Sequence, residues 1–212
     1  MNELKFESLG ETWINLVRLT TEAGTALDQE GYECLGVNVS FPALNDSDPV
    51  IEQFGNPEMI AEMKRVFFTD GFNQLGHSYA RLMRGPGGRG DLQDIIALLQ
   101  VKPWSQRGVV TLRGDSDGKV PCINVIQFLV RGGRVQTVYF SRGQDAYRKF
   151  YADALCLSVM AQTVAQGLSL APGSISGSIA SSHVYTRDLP EIREFLAHAP
   201  ATLRGHHLTG VP

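Results

Sequence analysis

Residues 121–185 read PCINVIQFLVRGGRVQTVYFSRGQDAYRKFYADALCLSVMAQTVAQGLSLAPGSISGSIASSHVY, and the fold is decided in this stretch. Val120, Ile123, Val125, Ile126, Phe128 and Val130 make an apolar strand that begins at Val120, straight after the polar turn 114–118. Arg131-Gly132-Gly133-Arg134 is a hairpin turn, and Val135, Thr137 and Tyr139 alternate along the returning strand to Ser141-Arg142. The Cys122 thiol and the Arg142 guanidinium are thereby expected on adjacent antiparallel strands. A thiolate is the attacking form of cysteine, and a neighbouring cation lowers its pKa. The same arginine is a fork-shaped ligand for phosphate. A free cysteine also packs well as a small apolar side chain, so spacing alone leaves both readings open. Further on, residues 145–168 read as the longest helix, with Asp145 in its first turn and Gly167 near its end. His183 and Tyr185, two apart on a strand, share one face.

Upstream, strands and helices interleave. Residues 11–24 form an amphipathic helix through Trp13, Leu16, Val17 and Leu19, and residues 32–41 alternate as a strand that Pro42 ends. Asn45-Asp46-Ser47-Asp48-Pro49 reads as a loop, and residues 57–68 as a helix with Met59, Ile60, Met63, Val66 and Phe67 inward. The glycine-rich segment 85–90 lacks the Gly-Lys-Ser/Thr ending of a phosphate loop and reads as a flexible connection. Asp91 caps a helix through Leu99, and Val109 to Leu112 form a strand that leads into the hairpin. With no repeat or linker, residues 1–212 are expected to form one α+β domain: a large mixed or antiparallel sheet with flanking helices.

Composition removes several classes. The 212 residues carry a net charge of −3 with no Lys/Arg run, which argues against a nucleic-acid stripe. Glu3, Glu7 and Glu11 do not suit a signal peptide, and no apolar stretch approaches a membrane span. Three cysteines leave one unpaired in any disulfide scheme, so a reducing cytoplasm is expected, with Cys34 and Cys156 structural. Five histidines, of which only His206 and His207 adjoin, form no metal constellation.

The stretch quoted above resembles, without a gap, the catalytic half of thymidylate synthases and their cytidylate-hydroxymethylating relatives. The landmarks are Pro121-Cys122, Gln127, the Arg-x-x-Asp pair Arg142 and Asp145, a long helix, and His183-x-Tyr185. Ser105-Gln106-Arg107 is similar to the family's Ser-Arg-Arg segment, and Tyr79 to its active-site tyrosine. The resemblance implies a cysteine nucleophile at Cys122 that adds to C6 of a pyrimidine nucleotide and makes C5 nucleophilic. It implies that Arg142 binds phosphate and holds the thiolate, that Gln127 orients base and sugar, and that Asp145 lies at the ring edge. His183 and Tyr185 would bond the 3′-hydroxyl. The superfamily dimerises through its sheets, so a homodimer is implied, with Arg107 reaching the partner's phosphate site. The implied one-carbon donor is 5,10-methylenetetrahydrofolate.

Asp153 discriminates most sharply. Thymidylate synthases have Asn at this position, whose amide suits the O4 and N3–H edge of uracil, whereas cytosine presents N4–H and an unprotonated N3. A carboxyl group accepts from N4–H and shares a proton with N3, and the cytidylate hydroxymethylases carry Asp here. Asp153 also suits an exposed first helical turn. CMP or dCMP is therefore expected ahead of dUMP. Other positions depart from the pattern: the Arg-Thr-Gly-Thr loop is Gln29-Glu30-Gly31-Tyr32, the arginine pair is Gln106-Arg107, and Gly143 replaces a serine. On the folate side Lys64 stands at the catalytic Glu position with Glu62 nearby, residues 71–79 are too few for a Trp-bearing segment, and the C-terminal closing tail is expected to be missing. An open site of that kind suits hydroxymethylation, which ends with water, better than methylation, which excludes it. The alternatives are a folate-independent C5 or C6 substitution, dUMP methylation, and a non-catalytic paralogue.

Overall fold

Gly132 and Gly133 adopt φ of 57° and 71°, the left-handed conformations that close a two-residue hairpin in step with the twist of its strands. The computed structural model describes residues 2–43, 48–73, 76, 78–84, 92–114 and 120–199. The hairpin strands, β5 (Ile123–Arg131) and β6 (Arg134–Ser141), belong to an eight-stranded sheet. Its other strands are β1 (Asn2–Lys5), β2 (Thr25–Leu27), β3 (Gly31–Pro42), β4 (Val109–Thr111), β7 (Gln144–Asp145) and β8 (Ala171–Tyr185). The order is β1-β3-β8-β6-β5-β4, with β2 added to β3 and β7 to β8. β8 runs parallel to β6 and β7 but antiparallel to β3, so the sheet is mixed, as expected.

One sheet face is covered by α1 (Leu9–Glu22) and by α6 (Phe150–Gly167). Helix α6 buries Phe150, Leu157, Met160 and Val164 and is enclosed on several sides, with α3 (Pro57–Phe68) and α5 (Leu92–Val101) packed against it. Such a helix has no wide polar stripe, because no face of it meets much water. The remaining helices are α2 (Pro49–Phe54), α4 (Tyr79–Arg84) and α7 (Leu189–His198).

Four sequence expectations shift. The long helix begins at Phe150 rather than residue 145, because Asp145 belongs to β7, paired with His183. Asp145 Oδ1 then accepts the N–H groups of Tyr147 (3.2 Å) and Arg148 (2.8 Å), which turns the chain once before the helix starts. Strand β5 begins at Ile123 rather than Val120, since Pro121 has no N–H for a ladder. Helix α1 starts at Leu9, where the Ser8 hydroxyl accepts Glu11 N–H at 3.1 Å. Asp48-Pro49 is not loop: Asp48 caps α2. Asn45, Asp46 and Ser47, the glycine-rich segment 85–90, Asp91, residues 115–118 and His206-His207 lie outside the described residues.

Candidate active site

Both ends of the hairpin's open side carry chemistry. Cys122 lies in the bend before β5 and Arg142 in the bend after β6, so neither is on a strand proper. The Arg142 N–H donates to the Cys122 carbonyl at 2.9 Å, and Ser141 Oγ is within hydrogen-bond reach of the carbonyls of Cys122 (3.1 Å) and Gly143 (2.9 Å). The exposed Arg142 guanidinium folds onto the segment ahead of the thiol: Nε donates to the Pro121 carbonyl at 3.1 Å and Nη2 to that of Val120 at 2.6 Å. Two of its nitrogens thus hold the backbone that positions Cys122.

Asp153 is only 2% exposed, which removes the reading of it as a surface acid. Its Oδ2 accepts from Gln144 Nε2 at 3.0 Å, while Oδ1 is buried without a partner among the described residues. Burial pushes the Asp153 carboxyl up, opposed by the Lys149 charge and the Gln144 bond. A buried acceptor with no donor costs free energy until something supplies one.

Cys122 is half-buried, and its thiol lies above the ordinary range: burial raises it most, then Asp153, while Lys149 and Arg142 lower it. The expected thiolate is therefore not favoured in the free protein. Tyr79, buried on α4, is pushed well up by burial first, then by Asp153 and Cys122, which places its hydroxyl among them. The rings of His183 and Tyr185 meet edge to face at 5.3 Å, and Asp145 sits beside His183 in register. Gly143 lies alongside too, since a Cβ there would come within 4.0 Å of His183 Cε1. Cys122, Arg142, Asp145, Asp153, Tyr79, His183 and Tyr185 thus gather at one end of the sheet.

Two predicted residues stand apart. Gln127 is five positions along β5 from Cys122, and its amide donates to the Gln106 carbonyl at 2.7 Å, fastening the segment before β4. Arg107 is exposed in that same segment, beyond the far end of the hairpin site within this chain. Cys34 and Cys156 are buried, and burial pushes both thiols up.

A cavity of about 260 Å³ opens beside the cluster, lined by Met59, Glu62, Met63, Asp145, Lys149 and Tyr185 among others. It adjoins a second of about 310 Å³ that shares Met59 and Arg148 and is walled by Trp13, Tyr147 and Tyr151. Glu62 faces the first cavity, whereas Lys64, two residues on, is exposed. Sequence reasoning missed Lys149 and the Arg148–Asp188 ion pair, in which Nε meets Oδ2 at 2.7 Å. The signal for Lys149 was its i, i+4 spacing to Asp153, which stacks the two on one helix face. Trp13 Nε1 steadies the turn between them and β7, donating to the carbonyls of Ala146 (3.0 Å) and Tyr147 (3.1 Å). Among the described residues no group of three His, Cys, Asp or Glu could hold a metal, and no helix is long and apolar enough to cross a membrane.

The chain is similar to the thymidylate synthase of Mycoplasma pneumoniae, 27% identical over 140 residues, covering 64% of this chain and 49% of that protein. It is also similar to the thymidylate synthase of Enterobacteria phage T4, 24% identical over 143 residues, 66% of this chain and 50% of the phage protein. The chain spans about half the length of these curated relatives. A family model described as thymidylate synthase matches residues 56–209, a span that includes the hairpin, α6 and the His183–Tyr185 strand. That match extends over most of the chain, which therefore belongs to the thymidylate synthase family.

Proposed function

We propose that this protein transfers a one-carbon unit to C5 of a cytidine-type nucleotide, CMP or dCMP ahead of dUMP, and leaves it hydroxymethylated. The observation that carries the reading is the unpartnered, buried Asp153 Oδ1 beside Cys122. Cytosine answers it directly, because N4–H donates to one carboxylate oxygen and N3 shares a proton with the carboxyl group. A carboxyl pushed up by burial keeps such a proton more readily than an ordinary aspartate. Uracil reverses that edge: O4 accepts where N4–H would donate, and N3 already carries its own hydrogen, so it has no site for the carboxyl proton to share.

In this reading the Cys122 thiolate forms the S–C6 bond, and the C5=C6 electron pair moves to C5, relayed into the ring edge that Asp153 holds. C5 then bonds the incoming carbon; the C5 proton leaves as that carbon's bond to its donor breaks and an exocyclic double bond forms, and water adds to the exocyclic carbon as the thiolate is expelled from C6. Tyr79, whose neutral hydroxyl lies near Cys122 and Asp153, orders the water that takes the C5 proton. His183 and Tyr185 hold the sugar. The remaining Arg142 nitrogen and Arg107 of the partner subunit bind phosphate in a homodimer, which the exposed Val138 and Phe140 on the outer face of β6 support. The adjoining cavities suit a folate, with Met59 and Met63 as an apolar wall and the exposed Arg187 cation at hand for a carboxylate. Methylenetetrahydrofolate, when bound there, supplies the one-carbon unit.

Exchange of the C5 hydrogen of CMP, dCMP and dUMP in deuterated buffer, with and without methylenetetrahydrofolate, tests the reading. Exchange is expected with the cytosine nucleotides, product only with the folate, and neither in Cys122→Ser. Exchange that ignores the folate, with no product, would favour a folate-independent substitution instead.

A further inference from the structure

Asp188 closes the single 3-10 turn Thr186–Asp188 and stands at the cap position of α7. An aspartate there ordinarily accepts the first N–H groups of the helix, yet this one makes no side-chain cap bond. Its carboxylate, 1% exposed, meets two arginines instead. Arg148 grips it as a fork, with Nε donating to Oδ2 at 2.7 Å and Nη2 to Oδ1. Arg187 Nε lies 3.8 Å from the same Oδ1, and the Arg187 guanidinium carbon sits 4.5 Å from the centre of the Tyr185 ring. That ring also meets His183 edge to face at 5.3 Å. His183 pairs with Asp145 in register, and Asp145 Oδ1 accepts the Arg148 N–H at 2.8 Å. The contacts close a circuit from Asp188 through Arg187, Tyr185, His183, Asp145 and Arg148 back to Asp188. Four of these six, Asp145, Arg148, Tyr185 and Arg187, line the cavity of about 260 Å³.

We propose that Asp188 is a positioning residue for the sugar-binding edge of the site, acting through Arg187 to fix the Tyr185 ring against His183. The proposal rests on the reading in which His183 and Tyr185 bond the sugar 3′-hydroxyl. A guanidinium is attracted to the negative face of an aromatic ring and occupies the space into which the ring would swing. Arg187 is 67% exposed, however, and a long side chain left to solvent keeps many rotamers. The Asp188 carboxylate supplies the restraint, because it is buried and is itself held by the Arg148 fork. A carboxylate that served only to start α7 would accept that helix's N–H groups. One that served only to fasten α7 to the turn before α6 would need Arg148 and not Arg187.

Dissociation constants of dCMP and of 2′,3′-dideoxycytidine monophosphate, measured by calorimetry on the full chain without folate, test the proposal. The parent is expected to bind dCMP on the order of tenfold more tightly, the worth of one hydrogen bond to the sugar. Asp188→Asn and Arg187→Met should each cut that ratio to about threefold or less while the dideoxy nucleotide binds within about threefold of the parent. Arg187→Lys, which keeps a cation for both ring and carboxylate, should retain most of the ratio. Equal weakening of both nucleotides in the neutral variants would mean a fastening role alone and overturns the proposal. Where Asp188→Asn unfolds, Arg187→Met carries the test, since that side chain is exposed. A second readout needs no nucleotide. In protein with ¹³C-labelled tyrosine, the Tyr185 ring signal, assigned by its loss in Tyr185→Phe, should move in Asp188→Asn more than any other tyrosine signal. An unmoved Tyr185 signal overturns the proposal whatever the nucleotides do. A moved signal in a protein whose parent binds both nucleotides alike, or neither, leaves the positioning of the ring standing and sinks the sugar reading.

Discussion

Asp153 shows what one side chain does in three measurements. Asp153→Asn is expected to move preference from cytosine toward uracil nucleotides by roughly ten- to a hundredfold, the cost of a mispaired buried edge. Relative rates with dCMP and dUMP check this. Because Asp153 raises the Cys122 thiol second only to burial, the same substitution should lower that thiol's pKa and speed alkylation at neutral pH. Stability gives the third reading. The folded carboxyl lies above its unfolded value, so the native state binds more protons as pH climbs from the unfolded pKa of about 3.9, and stability falls through the folded pKa. Asp153→Asn should therefore be more stable than the parent at neutral pH, with the gap closing on acidification, as thermal melts at several pH values would record. Cys122, Arg142, Asp153, His183 and Tyr185 were legible through their match to the family's motifs, since spacing alone left the reading of Cys122 open. Lys149 was not, since a lysine at a helix start reads as a solvated end until the cavity that it lines with Asp145 and Glu62 is seen.

At the scale of elements, α2 hangs on one carboxylate. Asp48, 4% exposed, accepts from Val50 N at 2.9 Å, from Ile51 N at 3.3 Å, and from Gly10 N of α1 at 2.8 Å. Asp48→Ala loses the cap and leaves the buried Gly10 N–H unpaired, so denaturant titration should show a loss of about 2–4 kcal/mol. A Cβ at Gly10 would stand 2.3 Å from Asp48 Oδ1, so Gly10→Ala should be destabilised through the same contact. The Asp-Pro pair preceding Val50 and Ile51 was an N-terminal signal in plain sequence, hidden because the apolar run after it is short. The start of α6 was hidden for another reason. The residues after Asp145 suit a helix, and only the pairing of Asp145 with His183 across β7 and β8 takes them out of it.

The whole molecule is where composite sites arise. Val138 and Phe140, each 41% exposed, stand on the face of β6 opposite the buried Val135, Thr137 and Tyr139. In the proposed homodimer through this face, Arg107 of the partner subunit would reach toward Arg142. Cys122→Ser and Arg107→Ala, each inactive alone, should then recover about a quarter of parental activity when mixed, because half the dimers carry one complete site. Phe140→Asp should yield monomers in sedimentation and lose that rescue. By itself the sequence determined the strand alternation, the hairpin turn and the helix that carries Asp153, because these follow from local periods of two and 3.6 residues and from glycine's freedom at positive φ. Only the tertiary structure decided that Gln127 serves the β4 side, that Arg142 clamps backbone, that Asp153 has an oxygen without a partner among the described residues, and that Lys149 lines a cavity with acids. Burial and pairing depend on which distant segments pack together, and no local pattern encodes the solvent those segments exclude.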